Sequence, residues 1–113
     1  MNIELEIFDS EVAIKQAGGD AGLAEELFGM LVNELPDYHH KIDAQHEKSN
    51  YDMLLETVHK LNGATRYTGV PALSAAANQF EQALRDDANH DYDKLCTNLV
   101  YEIQRLEDAY QQK

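Results

Sequence analysis

With 113 residues, 43% of them hydrophobic, the chain holds material for one domain around one core and leaves no room for a second. Its formal net charge of −12 repels phosphate backbones and anionic lipid, which argues against nucleic-acid and direct membrane binding and favours protein partners with basic faces, or bound cations. Solubility alone would select the same charge.

No apolar run approaches the roughly 18 to 20 residues of a membrane span, and the start lacks a basic-then-apolar leader. Cys96 is the only cysteine, so no internal disulfide can form and a reducing cytoplasm is the expected setting. The acidic charge resists self-association, and a monomer is expected.

The dominant period is helical. Phe8-Asp9-Ser10 opens a short helix, with Asp9 or Ser10 as cap, and Gly18-Gly19 ends it. Asp20 caps a second helix whose stripe runs Leu23, Leu27, Leu31, Leu35, Tyr38 and Ile42, with a kink expected at Pro36 or a break after Glu34. Ser49-Asn50 forms a turn and cap before a third helix, with Leu54, Val58, Leu61 and Thr65 on one face. Thr68-Gly69-Val70-Pro71 is a tight connection to a fourth, whose stripe of Leu73, Ala77, Phe80 and Leu84 is widened by Ala76 and Ala83. Asn89-His90-Asp91 is the last turn, and the final helix reads Tyr92, Leu95, Leu99, Ile103, Leu106, Tyr110. The expected fold is all-α, an antiparallel up-down four-helix bundle spanning residues 1–113, with the extra short N-terminal helix closing one end.

The stretch His59-Lys60-Leu61-Asn62-Gly63-Ala64 carries the chemistry. At 100° per residue His59 lies about 130° from the centre of the apolar face, on a flank shared with Leu55, Asn62 and Arg66. Gly63 costs its helix about 1 kcal/mol relative to alanine, so it serves either close helix packing or access to the imidazole; taken alone, packing is favoured. If the third and fourth helices fold back about Gly69-Val70, residues whose numbers sum to about 140 share a height, which sets Glu81 opposite His59. Glu81 could then accept from Nδ1–H and leave Nε2 as a free nucleophile, although a carboxylate so close also favours the charged ring.

Val58-His59-Lys60-Leu61-Asn62-Gly63-Ala64, Tyr67-Thr68-Gly69-Val70-Pro71 with Leu73, and Gln79-Phe80-Glu81-Gln82 together resemble the histidine phosphotransfer (HPt) signature, and Gly18-Gly19-Asp20 ahead of a long helix fits it too. The His-Lys-Leu-x-Gly and Tyr-x-Gly-Val-Pro details are most similar to the C-terminal HPt domains of BarA/GacS-type hybrid sensor histidine kinases. The resemblance implies that His59 is the phosphoacceptor, Gly63 the small residue beside it and Glu81 the residue facing it. It implies a phosphorelay role in two-component signalling, between receiver domains of a hybrid kinase or response regulator, with Mg on the receiver and no cofactor here. It also makes an excised domain of a membrane-anchored kinase plausible. Many relatives carry lysine where this chain has Asn62, which donates a hydrogen bond but no charge; Lys60 and Arg66 are the compensating cations, Lys60 pointing toward solvent.

Phe28, Val32 and Leu55 are expected to form an apolar docking patch, or else to complete the core. No phosphate-binding glycine loop is present, so ATP-driven autophosphorylation is not expected. Two other readings stand beside the phosphocarrier: a degenerate docking bundle without transfer, and a metal-binding bundle built on Glu56-Thr57-Val58-His59, with Asp43-Ala44-Gln45-His46 a weaker analogue. Glu56 falls nearly opposite the apolar stripe, which weighs against a metal. His39, His40 and His90 are read as solvated, and Tyr38, Tyr67, Tyr92, Tyr101 and Tyr110 as core-edge residues.

Overall fold

A computed structural model describes residues 6–86 and 91–110, and among them every regular element is a helix. The helices are α1 (Ser10–Gln16), α2 (Ala21–Glu47), α3 (Tyr51–Thr65), α4 (Pro71–Asp86) and α5 (Tyr92–Tyr110). Each begins where a short polar side chain or a proline relieves the unpaired N–H groups of the first turn. Asp9 accepts from the amides of Glu11 and Val12, Asp20 from that of Leu23, and Asn50 from that of Met53. Of the two expected caps for α1, Asp9 is the one used. Gly18 and Gly19 follow that helix with φ of +73° and +90°, a backbone only glycine adopts without strain. Asp9→Ala is expected to lower stability by about 1 kcal/mol in urea unfolding, because two amides lose their acceptor.

Side-chain bonds fix the directions. His59 meets Glu81 and Thr65 meets Ser74, so α4 runs back along α3; His39 meets Glu107 and His46 meets Asp93, so α5 runs back along α2. The long helices pack α2 on α3, α3 on α4, α4 on α5 and α5 on α2, and the Tyr51 ring at the start of α3 meets that of Tyr92 at the start of α5 across one end. This is the expected up-down four-helix bundle.

Its core is made of the predicted stripes: Leu31, Leu35 and Ile42 from α2, Leu54, Val58 and Leu61 from α3, Leu73, Ala77 and Phe80 from α4, and Leu99, Ile103 and Leu106 from α5. Burial pushes the Cys96 thiol, helped by Asp43 and Asp93, up to about 11, so it stays protonated within the packing. The predicted stripe fails at Leu23, which is exposed. The reason is length: α2 has 27 residues and α3 only 15, so at 1.5 Å per residue α2 overhangs its neighbour by roughly 18 Å.

α2 also runs unbroken through Pro36, so of the two expectations, a kink at Pro36 or a break after Glu34, the break does not occur. Pro36 is on the exposed side, where water can satisfy the carbonyl that its missing N–H leaves unpaired. The end of the bundle holding the α3–α4 turn is closed by α1. Asp9 N–H donates to the Gly69 carbonyl at 2.8 Å, Gly69 N–H to Gln16 Oε1 at 2.9 Å, and Ala72 N–H to the Glu6 carbonyl at 3.1 Å. Gly69 has φ of +64°, and a Cβ there would lie 2.5 Å from the Asp9 carbonyl oxygen. The turn therefore needs glycine twice over, for its backbone and for the contact with α1. The Asn89-His90-Asp91 turn falls mostly outside the described residues; Asp91 accepts from the amide of Lys94.

Candidate functional site

His59 projects from the α3–α4 edge with its side chain 60% exposed, while the Glu81 side chain beneath it is only 10% exposed. The imidazole Nδ1 lies 2.8 Å from Glu81 Oε2. Glu81 is anchored from below: Asn62 Nδ2 donates to Oε1 at 2.9 Å. Arg85, one turn along α4, donates from Nε to Oε2 at 2.8 Å, and its Nη2 lies 3.2 Å from His59 Nδ1.

Burial alone would raise the Glu81 carboxyl, but the hydrogen bonds from Asn62, His59 and Arg85 overcome it and hold the group at about 2. It is a carboxylate throughout the physiological range. An anion fixed on Nδ1 selects the tautomer with hydrogen on Nδ1 and a lone pair on Nε2. The site can thus present a pyridine-type ring nitrogen as nucleophile in water, on a rigid helix, with its counter-ion already in place.

Gly63 is one turn from His59. A Cβ built there meets nothing within 4 Å, so the close-packing explanation, favoured from sequence, is not the one the structure supports; the glycine leaves open space beside the imidazole. Gly63→Ala is accordingly expected to stabilise the domain by about 0.5–1 kcal/mol, while slowing exchange with a bulky protein partner more than labelling by a small phosphodonor. Unfolding midpoints and the two rates check this.

The other site residues lie less close. Asn62 is buried against Glu81, so it supports the carboxylate rather than facing an incoming group. Arg66 is exposed two turns from His59, roughly 10 Å along the helix. Lys60 is exposed on the opposite flank, where a groove of about 370 Å³ between α2 and α3 is lined by Tyr38, Lys41, Met53, Glu56, His59 and Lys60.

The apolar patch does not assemble; Phe28 and Leu55 instead pack against the core, the other of the two expectations. Phe28 stacks with Phe8 and Tyr110 at centroid distances of 4.2 and 5.0 Å. Thr57 bonds Gln45 across α2 and α3, which sets Leu55 near the far end of α2, more than about 20 Å along that helix from Phe28. Val32 and Leu55 are half-buried, and Leu55 alone lies on the His59 flank.

Glu56 is exposed and His59 is turned to Glu81, so the Glu-x-x-His element does not converge; among the described residues no group of three or more His, Cys, Asp or Glu gathers as metal ligands. His39 is not solvated as expected but lies half-buried between Asp43 and Glu107. His40 is exposed, and His90 is outside the described residues. Tyr38 is buried while Tyr67 and Tyr101 are exposed, so only Tyr92 and Tyr110 are core-edge residues. Arg85 was the site residue that sequence reasoning missed, although its spacing of four from Glu81 is an ordinary ion-pair signal on a helix.

The Hpt domain family model matches residues 26–112. The chain is 36% identical over 87 residues to the sensor histidine kinase GacS of Pseudomonas protegens, covering 77% of this chain and 10% of that protein. It is 35% identical over 77 residues to the signal transduction histidine-protein kinase BarA of Escherichia coli K12, covering 68% of this chain and 8% of that one. The crystal structure of the HPT domain from a Shewanella Hpt sensor hybrid histidine kinase superposes with a TM-score of 0.87 at 29% identity, over 94% of this chain and 92% of that one. The chain thus spans about a tenth of the length of the curated kinases it matches. Among the described residues no helix is long and apolar enough to cross a membrane. By the family match, the hybrid-kinase relatives and the shared bundle, this chain belongs to the Hpt domain family.

Proposed function

We propose that the chain is a phosphorelay intermediate, accepting a phosphoryl group on His59 from a receiver-domain aspartate and passing it to a response-regulator aspartate. The observation that carries this is the exposed imidazole whose Nδ1 is held by a buried carboxylate, in a member of the Hpt family. In the forward step the Nε2 lone pair forms a bond to phosphorus as the acyl phosphate O–P bond breaks, and the receiver aspartate leaves as a carboxylate. Nδ1 keeps its proton, so no proton needs to move. The ring becomes positively charged and Glu81 already faces it, which turns the 2.8 Å hydrogen bond to the carboxylate into an ion pair. The reverse step regenerates the neutral ring. Both are transfers governed by positioning and charge, and the receiver supplies Mg.

The chain itself has the role of a phosphocarrier rather than an ATP-using enzyme. It acts on the cytoplasmic side, alone or as the last domain of a hybrid sensor kinase. The test is incubation with phosphorylated receiver domains, read by the phosphohistidine signal in 31P spectra and by acid-labile, base-stable label. No label from any of several receivers would leave a docking bundle without transfer, and label from Mg-ATP alone would refute the absence of autophosphorylation.

A further inference from the structure

A carboxylate on Nδ1 does two opposed things to a histidine nucleophile. It fixes the productive tautomer, and it favours the imidazolium, which has no lone pair on Nε2 and cannot attack. Arg85 sits where it can separate the two. Its Nε and the imidazole Nδ1 share one oxygen, Glu81 Oε2, each at 2.8 Å, and its Nη2 comes within 3.2 Å of Nδ1. Arginine only donates, so it cannot take the place of Glu81 as acceptor for Nδ1–H; against a bare Nδ1 it would instead favour the unproductive tautomer. Asn62, pinning Oε1 from the buried side, keeps the carboxylate from turning away and leaving that outcome open.

We propose that Arg85 is a positioning residue for His59: by sharing Oε2 of Glu81 it keeps the imidazole oriented with hydrogen on Nδ1 while opposing protonation at Nε2, a penalty the phosphorylated ring escapes because its phosphoryl group is anionic. The inference rests on the phosphoacceptor reading for its purpose, not for its physics. Among the described residues the other charges on the facing elements are Glu56 and Lys60 on α3, Arg66 just past its end, Asp86 next to Arg85 on α4, and Lys41 across the groove on α2. Arg85 is the cation that meets both the ring and its acceptor.

The test compares wild type, Arg85→Ala and Arg85→Lys by long-range 1H–15N spectra of His59 across pH, and by labelling with phosphoramidate. In that reaction the P–N bond to ammonia breaks as the Nε2–P bond forms. Arg85 is half-exposed, so losing its charge in the alanine variant should raise the imidazolium fraction of His59 at a given pH only modestly. Its labelling should fall about two- to fivefold on the acid side of the profile, and less in high salt. Arg85→Lys should return the titration toward wild type by restoring the charge. An unmoved titration in Arg85→Ala overturns the proposal, as does slowed labelling without a shift, which would place Arg85 on the incoming phosphoryl group instead. If wild type takes no label from phosphoramidate or receivers, the phosphocarrier reading fails while the spectra still decide the role of Arg85.

Discussion

His59→Gln is expected to accept no acid-labile phosphoryl label from any receiver that labels wild type, with the fold intact. The two halves of that expectation have separate causes. The side chain is 60% exposed and contributes little to the core, so unfolding free energy should stay within about 0.5 kcal/mol of wild type. Glutamine can still donate an amide hydrogen to Glu81 Oε2, which limits the disturbance to the Asn62–Glu81–Arg85 network. It has no nucleophilic lone pair comparable to imidazole, so transfer has nowhere to go. Persistent acid-labile label on the variant would show that another residue is the acceptor.

Glu81→Gln should act on both chemistry and stability. Without the carboxylate, the positively charged phospho-ring loses its charge-assisted partner, and transfer should slow by about tenfold or more. Stability should also lose part of its pH dependence. The carboxyl is held at about 2 against an ordinary 4.5, so it binds protons less readily folded than unfolded. Its contribution is complete above about pH 4.5 and disappears as pH falls through 2; the whole span is worth up to about 3 kcal/mol. Wild type should therefore converge on Glu81→Gln as urea unfolding is followed from pH 5 down to 2. Curves that stay parallel would mean the network does not depress this carboxyl.

The pairing of His59 with Glu81 was legible because two simple regularities multiply. The helical period fixes which flank a residue occupies, and a short turn fixes which heights meet. What the period cannot supply is how far each helix overhangs its neighbours, which is why Leu23 belongs to the α2 stripe yet lies exposed. The same ignorance of height joined Phe28 and Leu55 into one patch, although they sit toward opposite ends of α2. Asn62 lies on the expected flank, but its partner was not legible, because whether an amide faces solvent or a buried carboxylate is decided by the adjacent helix. The packing explanation for Gly63 was reasonable from helix propensity alone, and only the empty volume around it removes that explanation. Arg85 lies on the polar side of α4, where the apolar stripe carries no information, and only its spacing of four from Glu81 marks it.

The ring cluster of Phe8, Phe28 and Tyr110 joins the segment leading into α1 to the last turn of α5, with Phe8 and Tyr110 5.7 Å apart. Polypeptide attached on either side of the described fold would therefore depart from one pole, the pole that α1 caps, while His59 sits partway along a lateral edge. The end of α3 at that pole is six residues, roughly 9 Å, from His59, so a receiver tethered there would begin close to the level of the imidazole. Tether length, through the local concentration it sets, would then govern how often a linked receiver competes with a free one for the same histidine.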